Sequence, residues 1–240
     1  MRSAYLFDID GTLTFPSQKM DEDFVYFFLD WSKNKDFFLV GGSSYKSLTS
    51  QLPSSVLKRA KGIFSSMANE LHIDNDMVYS NTWKPSIKLL QELLTWHSKS
   101  PYPNKKKKYI EHRVGMLNFT VAGRESDNSQ RLKYFQWDQL HQERETIASD
   151  LFKKFPQLDI RLGGMISLDI SPKDKNKSQA INWVRNLNKY SKILYFGDKG
   201  FKGGNDYDAK INIQKNKDGN FYDVKDCNQT KKILSSIHEA

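Results

Sequence analysis

With a single cysteine in 240 residues, Cys227, the chain cannot form an internal disulfide, which excludes a stapled secreted scaffold. The fold must rest on a packed core, and the length is ample for one large domain or two modest ones. No apolar run approaches the roughly 20 residues that a membrane helix needs. The first residues also lack the charged, apolar and small-residue order of a secretory signal. The expectation is a soluble cytoplasmic protein with no membrane contact, in which the sequons Asn118-Phe119-Thr120 and Asn228-Gln229-Thr230 carry no meaning for glycosylation. There is no internal repeat and no low-complexity segment.

What is present is an excess of positive charge, formally +9. Such a balance suits nucleic acid, an anionic surface or small anionic substrates such as phosphates. The densest basic run, residues 105–108 in PNKKKKY, follows Pro101 and Pro103 and has no RNP-like or zinc-finger pattern beside it. It reads as a solvated connection between elements, so nucleic acid is not an expected partner.

Strand-like and helix-like patterns alternate at both chain ends. Residues 4–7 form an apolar run, Phe24, Phe27, Phe28 and Trp31 repeat on one helical face begun by Asp21, and residues 37–40 form a second apolar run ended by Gly41-Gly42-Ser43. A helical stretch over 45–52 precedes a third run at 62–64. Near the other end, Ile181, Val184 and Leu187 mark a helix, residues 192–196 a strand, and Ile211 with Ile213 a final short strand. This alternation predicts a parallel sheet covered on both faces. The middle differs. Ile87, Leu90 and Leu94 mark a helix after Pro85, YIEHRVGMLNFTVAGR shows period-2 alternation, a long helical pattern runs over 129–155, and RLGGMISLDIS places Ile166, Leu168 and Ile170 on one strand face with Ser167 and Asp169 on the other. The predicted organisation is an α/β core from residues 1–77 and 175–240, with an inserted α+β cap over 78–174 built on an antiparallel sheet.

In open α/β sheets the working groups lie beyond the carboxyl ends of the strands. Three runs here end in polar groups: Asp8 and Asp10 in DIDGTLT, Ser43, and Asp198. Carboxylates gathered there repel one another unless a hard cation holds them, and Mg²⁺ accepts such oxygen ligands together with a substrate phosphate. Asp8 can then attack phosphorus while Asp10 moves a proton.

FDIDGTLT resembles the first motif of the haloacid-dehalogenase-type phosphotransferases. The resemblance implies Asp8 as the nucleophile that becomes an aspartyl-phosphate, and Asp10 as the general acid/base. Gly42-Ser43 is similar to the second motif, Lys177 in KDKNKSQAI to the third, and GDKGFKGGND to the fourth, so that Asp8, Asp10 and Asp198 are the implied Mg²⁺ ligands, with Ser43, Lys177 and Asn205 at the core phosphate. Asp206 is implied to help order that site.

Within that superfamily, the strings E-x-R-x-G-M-L-N, G-R, Q-R, GGMISLDI and FGDK with GGND resemble the eukaryotic-type phosphomannomutases, from Tyr5 to about Ile233. This implies Arg113, Arg124 and Arg131 on the phosphate that is not being transferred, Ser167 beside them, and Asp169 on the sugar hydroxyls. It also implies interconversion of mannose 6-phosphate and mannose 1-phosphate for GDP-mannose synthesis, a hexose 1,6-bisphosphate activator, and a homodimer formed through the caps. A capped sugar-phosphate phosphatase and a phosphoglucomutase share the core motifs and remain rival readings, as does a non-catalytic nucleic-acid binder. The chain departs from the family's pattern in three places. Ser17 stands where the family often has arginine. Asn69-Glu70-Leu71 lacks the glycine of the hinge, which predicts a stiffer turn. Lys210 and Asn212 replace the acidic and aromatic residues that frame a secondary cation, so a lysine is expected in that place.

Overall fold

The apolar run that precedes Asp8 forms the middle of the larger of two sheets. The computed structural model describes residues 2–237. In chain order its elements begin β1 (Ser3–Phe7), α1 (Glu22–Trp31), β2 (Asp36–Val40), α2 (Tyr45–Gln51), α3 (Ser54–Arg59), β3 (Ile63–Ser65), β4 (Glu70–Ile73) and β5 (Asp76–Ser80). There follow α4 (Ile87–Lys99), β6 (Ile110–Arg113), β7 (Met116–Phe119), α5 (Asn128–His141), α6 (Glu143–Lys154), β8 (Leu158–Gly163) and β9 (Ser167–Pro172). The chain closes with α7 (Ser178–Asn186), β10 (Lys192–Gly197), α8 (Tyr207–Asn216), β11 (Gly219–Asp223) and α9 (Cys227–Ser236).

The seven-stranded sheet has the order β11-β10-β1-β2-β3-β4-β5; β11 through β3 pair in parallel, and β4 and β5 add an antiparallel edge. Its strands are apolar on both faces because both are covered. Tyr5, Phe7, Phe37, Leu39, Leu194 and Phe196 face one cluster with α1 and α9, while Ala4, Leu6, Phe38, Val40, Ile193 and Tyr195 face another with α7 and α8. Asp21 caps α1 by accepting from the Phe24 backbone N–H at 3.0 Å. That helix lays Phe24 and Phe28 on the sheet, where the Phe28 ring meets Phe7 and Phe37 edge-on with centroids 5.2 and 5.0 Å apart.

The second sheet, ordered β6-β7-β9-β8, is antiparallel throughout. Its apolar face carries Leu117, Phe119, Ile160, Leu168 and Ile170 into a core shared with α4, α5 and α6. Register fixes its other face. Glu111 pairs with Asn118, Asn118 with Asp169, and Asp169 with Arg161, so one polar row crosses all four strands.

Several elements differ from expectation. The boundary at residue 78 falls inside β5, which belongs to the seven-stranded sheet. Ile211 and Ile213 lie in α8, where Ala209 and Ile213 face the core four residues apart, and the last strand is β11 instead. The helical pattern over 129–155 is broken at Gln142, which adopts φ 50°; buried Asp138 holds the Arg144 backbone N–H at 2.9 Å and its guanidinium at 2.7 Å, forcing the turn. In α4 the buried residues are Leu89 and Leu93, whereas Ile87 and Leu94 are exposed. The basic run is a connection, but Lys105 is not merely solvated: its ammonium donates to the carbonyls of His97, Ser98 and Ser100 and closes the end of α4. The turn before β4 is made by Ser66, Met67 and Ala68, all with φ of 50–61°, and Glu70 and Leu71 lie within the strand.

Truncating Phe28, which is fully buried, is expected to cost about 3–5 kcal/mol. Chemical denaturation of Phe28→Ala checks this, and a loss below about 1 kcal/mol would show that the aromatic cluster does not anchor α1.

Candidate active site

Two catalytic candidates come from one sharp turn. Beyond β1 the chain curls so that the Thr12, Leu13 and Thr14 N–H groups converge on the Ile9 carbonyl, with Gly11 at φ +86°. A Cβ on Gly11 would stand 2.4 Å from Asp198 Oδ2, so only glycine lets the turn approach the end of β10. Asp8 is buried and Asp10 lines the cavity above it. One Asp10 oxygen accepts the Ser17 backbone N–H at 2.7 Å, with Ser17 in the left-handed region at φ 62°. The Gln51 amide, oriented with its nitrogen toward the same oxygen, donates at 3.1 Å.

Lys177 crosses beneath Asp8. Fully buried, its ammonium donates to Asp8 Oδ1 at 2.7 Å and to Asp206 Oδ1 at 2.8 Å, with Asn205 Oδ1 at 3.4 Å. Burial disfavours the lysine's charge, but Asp206 and Asp8 outweigh it and push its pKa upward. Burial also drives the Asp8 carboxyl well above its usual range, against the pull of Lys177, with Asp206 and Asp198 adding to the rise. Asp198 is raised for the same reason, burial first, opposed by Lys199 at 2.6 Å.

Asp8, Asp198 and Asp206 each offer an oxygen within 4.8 Å of the others, and Asp198 Oδ1 is buried without a hydrogen-bond partner among the described residues. An all-carboxylate donor set with an orphaned oxygen fits a hard divalent cation. The Asp10 carboxylate accepts from Ser17, while Asp206, which also accepts from Lys177 and Tyr195, lies with Asp8 and Asp198 in this group.

The lid supplies the opposite wall. A cavity of about 370 Å³ is lined on the core side by Asp8, Asp10, Ser43, Asn205, Gln51 and Lys199, and on the lid side by Arg113, Arg124, Arg131, Ser167, Asp169 and Asn118. Lys177, Asp198 and Asp206 lie behind its floor. Arg113 reaches the core, donating to the Gly42 carbonyl at 2.8 Å. The Arg124 guanidinium donates to Asn118 Oδ1 at 2.8 Å, and the Asn118 amide to Asp169 Oδ1 at 2.7 Å. Arg131 anchors its Nε–H on the Ser126 carbonyl at 2.9 Å. Burial, and next the neighbouring Arg113 charge, lower the Arg124 pKa.

Every residue expected at the site is thus at or directly beneath one cavity. Glu111, Asn118 and Gln51 were not among them. The first two stand in the E-x-R-x-G-M-L-N string, yet their roles follow only from cross-strand register, which no local pattern displays. Gln51 carries no signal of its own.

A parallel sheet with acids beyond β1 and β10, closed by an inserted lid, defines a capped phosphotransferase of the haloacid dehalogenase type. The fold is shared with the C-terminal domain of the Candida albicans trehalose-6-phosphate phosphatase (TM-score 0.63, 13% identity, 98% of this chain and 91% of that one). It is shared as well with a haloacid dehalogenase-like hydrolase from Bacteroides thetaiotaomicron (TM-score 0.60, 13% identity, 99% and 100%). Residues 25–240 match the family described as eukaryotic phosphomannomutase. Phosphomannomutases from Nicotiana benthamiana and Triticum aestivum are 32% and 30% identical to this chain, each over 211 residues, which is 85% of this chain and 82% and 84% of theirs. The chain belongs to the eukaryotic phosphomannomutase family.

Removing Lys177 strands two buried carboxylates. Lys177→Met is expected to destabilise the protein by about 3–5 kcal/mol at neutral pH, and Asp206→Asn on top of it to restore part of the loss. Thermal unfolding of the two single variants and the double variant checks this; additive effects would deny the coupling.

Proposed function

We propose that this chain is a phosphomannomutase that interconverts mannose 6-phosphate and mannose 1-phosphate. The observation that carries the reading is that Arg113, Arg124 and Arg131 line the same cavity as Asp8 and Asp10. An enzyme that only hydrolyses monophosphates has no use for a second anion clamp opposite its nucleophile, whereas a bisphosphate intermediate needs both ends held.

In this mechanism an Asp8 oxygen forms a bond to phosphorus as the bond from phosphorus to the sugar oxygen breaks, and Asp10 gives that oxygen a proton. In the opposite transfer, the aspartyl-phosphate gives its phosphoryl group to the free hydroxyl of a hexose monophosphate while Asp10 takes that hydroxyl's proton, which makes the bisphosphate. The bisphosphate turns over between the two transfers, and the lid arginines hold whichever phosphate faces away. Lys177 holds positive charge against Asp8, favouring its ionised form. A hexose 1,6-bisphosphate supplies the first phosphoryl group. Asp8, Asp198 and Asp206 would hold Mg²⁺, whose charge favours the ionised carboxylates and offsets the phosphate oxygens. The lid, tied to the core through Arg113, keeps water from the aspartyl-phosphate.

The caps are proposed to pair into a homodimer in the cytoplasm. Support comes from the outer face of α4, where exposed Ile87 and Leu94, with Leu90 of the same helix, line an open apolar groove together with Tyr109 and Ile110 at the start of β6. Among the described residues, no helix is long and apolar enough to cross a membrane.

Incubation with mannose 1-phosphate, Mg²⁺ and a trace of hexose bisphosphate is expected to yield mannose 6-phosphate; inorganic phosphate alone would make the protein a phosphatase. Asp8→Asn is expected to abolish turnover with the fold intact, judged by circular dichroism. Arg124→Ala should lower isomerisation by about tenfold or more while sparing phosphate release, and equal losses would count against two phosphate positions. Sedimentation should give a dimer that Leu94→Glu converts to monomer.

A further inference from the structure

The lid arginines are held from behind. Glu111, on β6, accepts on Oε2 from the Arg113 guanidinium at 2.7 Å, and the same oxygen forms an ion pair with the Arg124 guanidinium at 2.5 Å. Arg113, Arg124, Asn118 and Asp169 line the cavity, and Glu111 does not. Its carboxylate therefore stands behind the arginines rather than in the ligand's space.

Two guanidiniums placed this close repel each other, and both are largely withdrawn from water, with side chains 6% and 20% exposed. A solvated surface ion pair holds little; a carboxylate shared between two withdrawn guanidiniums sets their spacing. Burial works against the charge of Glu111, but Arg113 and Arg124, helped by Lys108, hold its carboxyl below the usual range. Neither guanidinium is otherwise loose. Arg113 also donates to the Gly42 carbonyl, next to Ser43 in the core, and Arg124 to Asn118, which passes the contact on to Asp169. Hydrogen bonds and the Glu111–Arg124 ion pair thus link the core loop through Arg113, Glu111, Arg124 and Asn118 to Asp169, which Arg113 also approaches directly at 3.7 Å; Glu111 is the carboxylate that joins the two guanidiniums.

We propose that Glu111 is the positioning residue of the lid clamp: it spaces Arg113 and Arg124 so that their cavity-facing N–H groups meet the distal phosphate, and couples that spacing to lid closure. The proposal rests on reading the cavity as a site for two phosphates. Closure brings Arg113 to the Gly42 carbonyl, and through Glu111 the same movement sets Arg124. A ligand with a single phosphate on Asp8 gains nothing from this, whereas a bisphosphate gains a preorganised second contact.

The test is calorimetric binding of glucose 1,6-bisphosphate to the full chain carrying Asp8→Asn, which prevents turnover, with and without Glu111→Gln. The amide keeps the shape and one acceptor oxygen but removes the negative charge that offsets the two guanidiniums. Affinity should fall by about tenfold or more, with the melting temperature changed by no more than a few degrees. In the otherwise wild-type chain, Glu111→Gln should lower mannose 1-phosphate isomerisation more than phosphate release. Unchanged bisphosphate affinity in a folded variant overturns the proposal, as does an equal loss of both activities, which a merely structural role would give. Should Glu111→Gln fail to fold, Glu111→Asp replaces it: the charge stays, the reach shortens by one methylene, and affinity should again weaken, with no change overturning the proposal. If the wild-type chain releases phosphate without isomerising, yet Glu111→Gln still weakens bisphosphate binding, the mutase reading fails and the positioning role stands.

Discussion

Everything in the core converges on the ammonium of Lys177. Asp8 and Asp206 are both withdrawn from water, and carboxylates so placed tolerate each other only around a positive charge. Lys177 stands 169 residues from Asp8 and 29 from Asp206, just after the chain returns from the lid. The ion cluster thus closes the circuit of the fold: first strand, re-entry from the insert, and the loop before α8. Tyr195 strengthens it by donating its hydroxyl to Asp206 at 2.9 Å; burial, with Asp206 next, drives that phenol far above its ordinary pKa, so it remains a donor.

The lid sheet is asymmetric in the way this geometry requires. One face is apolar and covered by helices, while the other carries Glu111, Asn118, Asp169 and Arg161 in a single cross-strand row whose middle members, Asn118 and Asp169, line the cavity. Each end of the row meets the core. At one edge Arg113 reaches Gly42; at the other Arg161 reaches Asp208 of α8 at 2.9 Å, beside a bond from the Leu162 N–H to the Gly203 carbonyl at 3.1 Å. Arg113, on β6, both lines the cavity and donates to the core, so at that edge clamp geometry and closure are not independent properties.

Much of the core was legible because parallel strands covered on both faces read as unbroken apolar runs, and because their polar terminators fall at one edge of the sheet. The string at residues 8–14, Ser43 and Asp198 were found this way, whereas Lys177 followed only from the resemblance to the superfamily's third motif. Tertiary context decided what was misread. Ile211 and Ile213 are two apart, as in a strand, yet it is Ala209 and Ile213, four apart, that touch the core. The pattern over 129–155 has no glycine or proline to mark the break at Gln142, because the break is made by Asp138 capturing Arg144. That Asp206 comes within 4.8 Å of Asp8 and Asp198 depends on how the loop before α8 packs, which spacing alone does not display. The Lys210 ammonium meets Asp223 at 2.5 Å and lies over the Phe221 ring, while Asn212 accepts from Arg185.

The distribution of charge gives the basic composition a role that composition alone could not assign. Acids gather on and beneath the cavity floor as Asp8, Asp10, Asp198 and Asp206, and the wall opposite carries Arg113, Arg124 and Arg131. A phosphate dianion approaching a protein of net charge +9 is drawn to the molecule as a whole, but within the cavity it is repelled by the floor and attracted by the lid. The lid is therefore the favoured first contact, and the floor becomes hospitable only to the extent that Lys177, Lys199 and a divalent cation neutralise it. This ordering places the strongest anion grip away from the reacting carboxylate. On the proposed mutase reading, a bisphosphate leaving Asp8 would stay held at its other end and so could turn over instead of escaping.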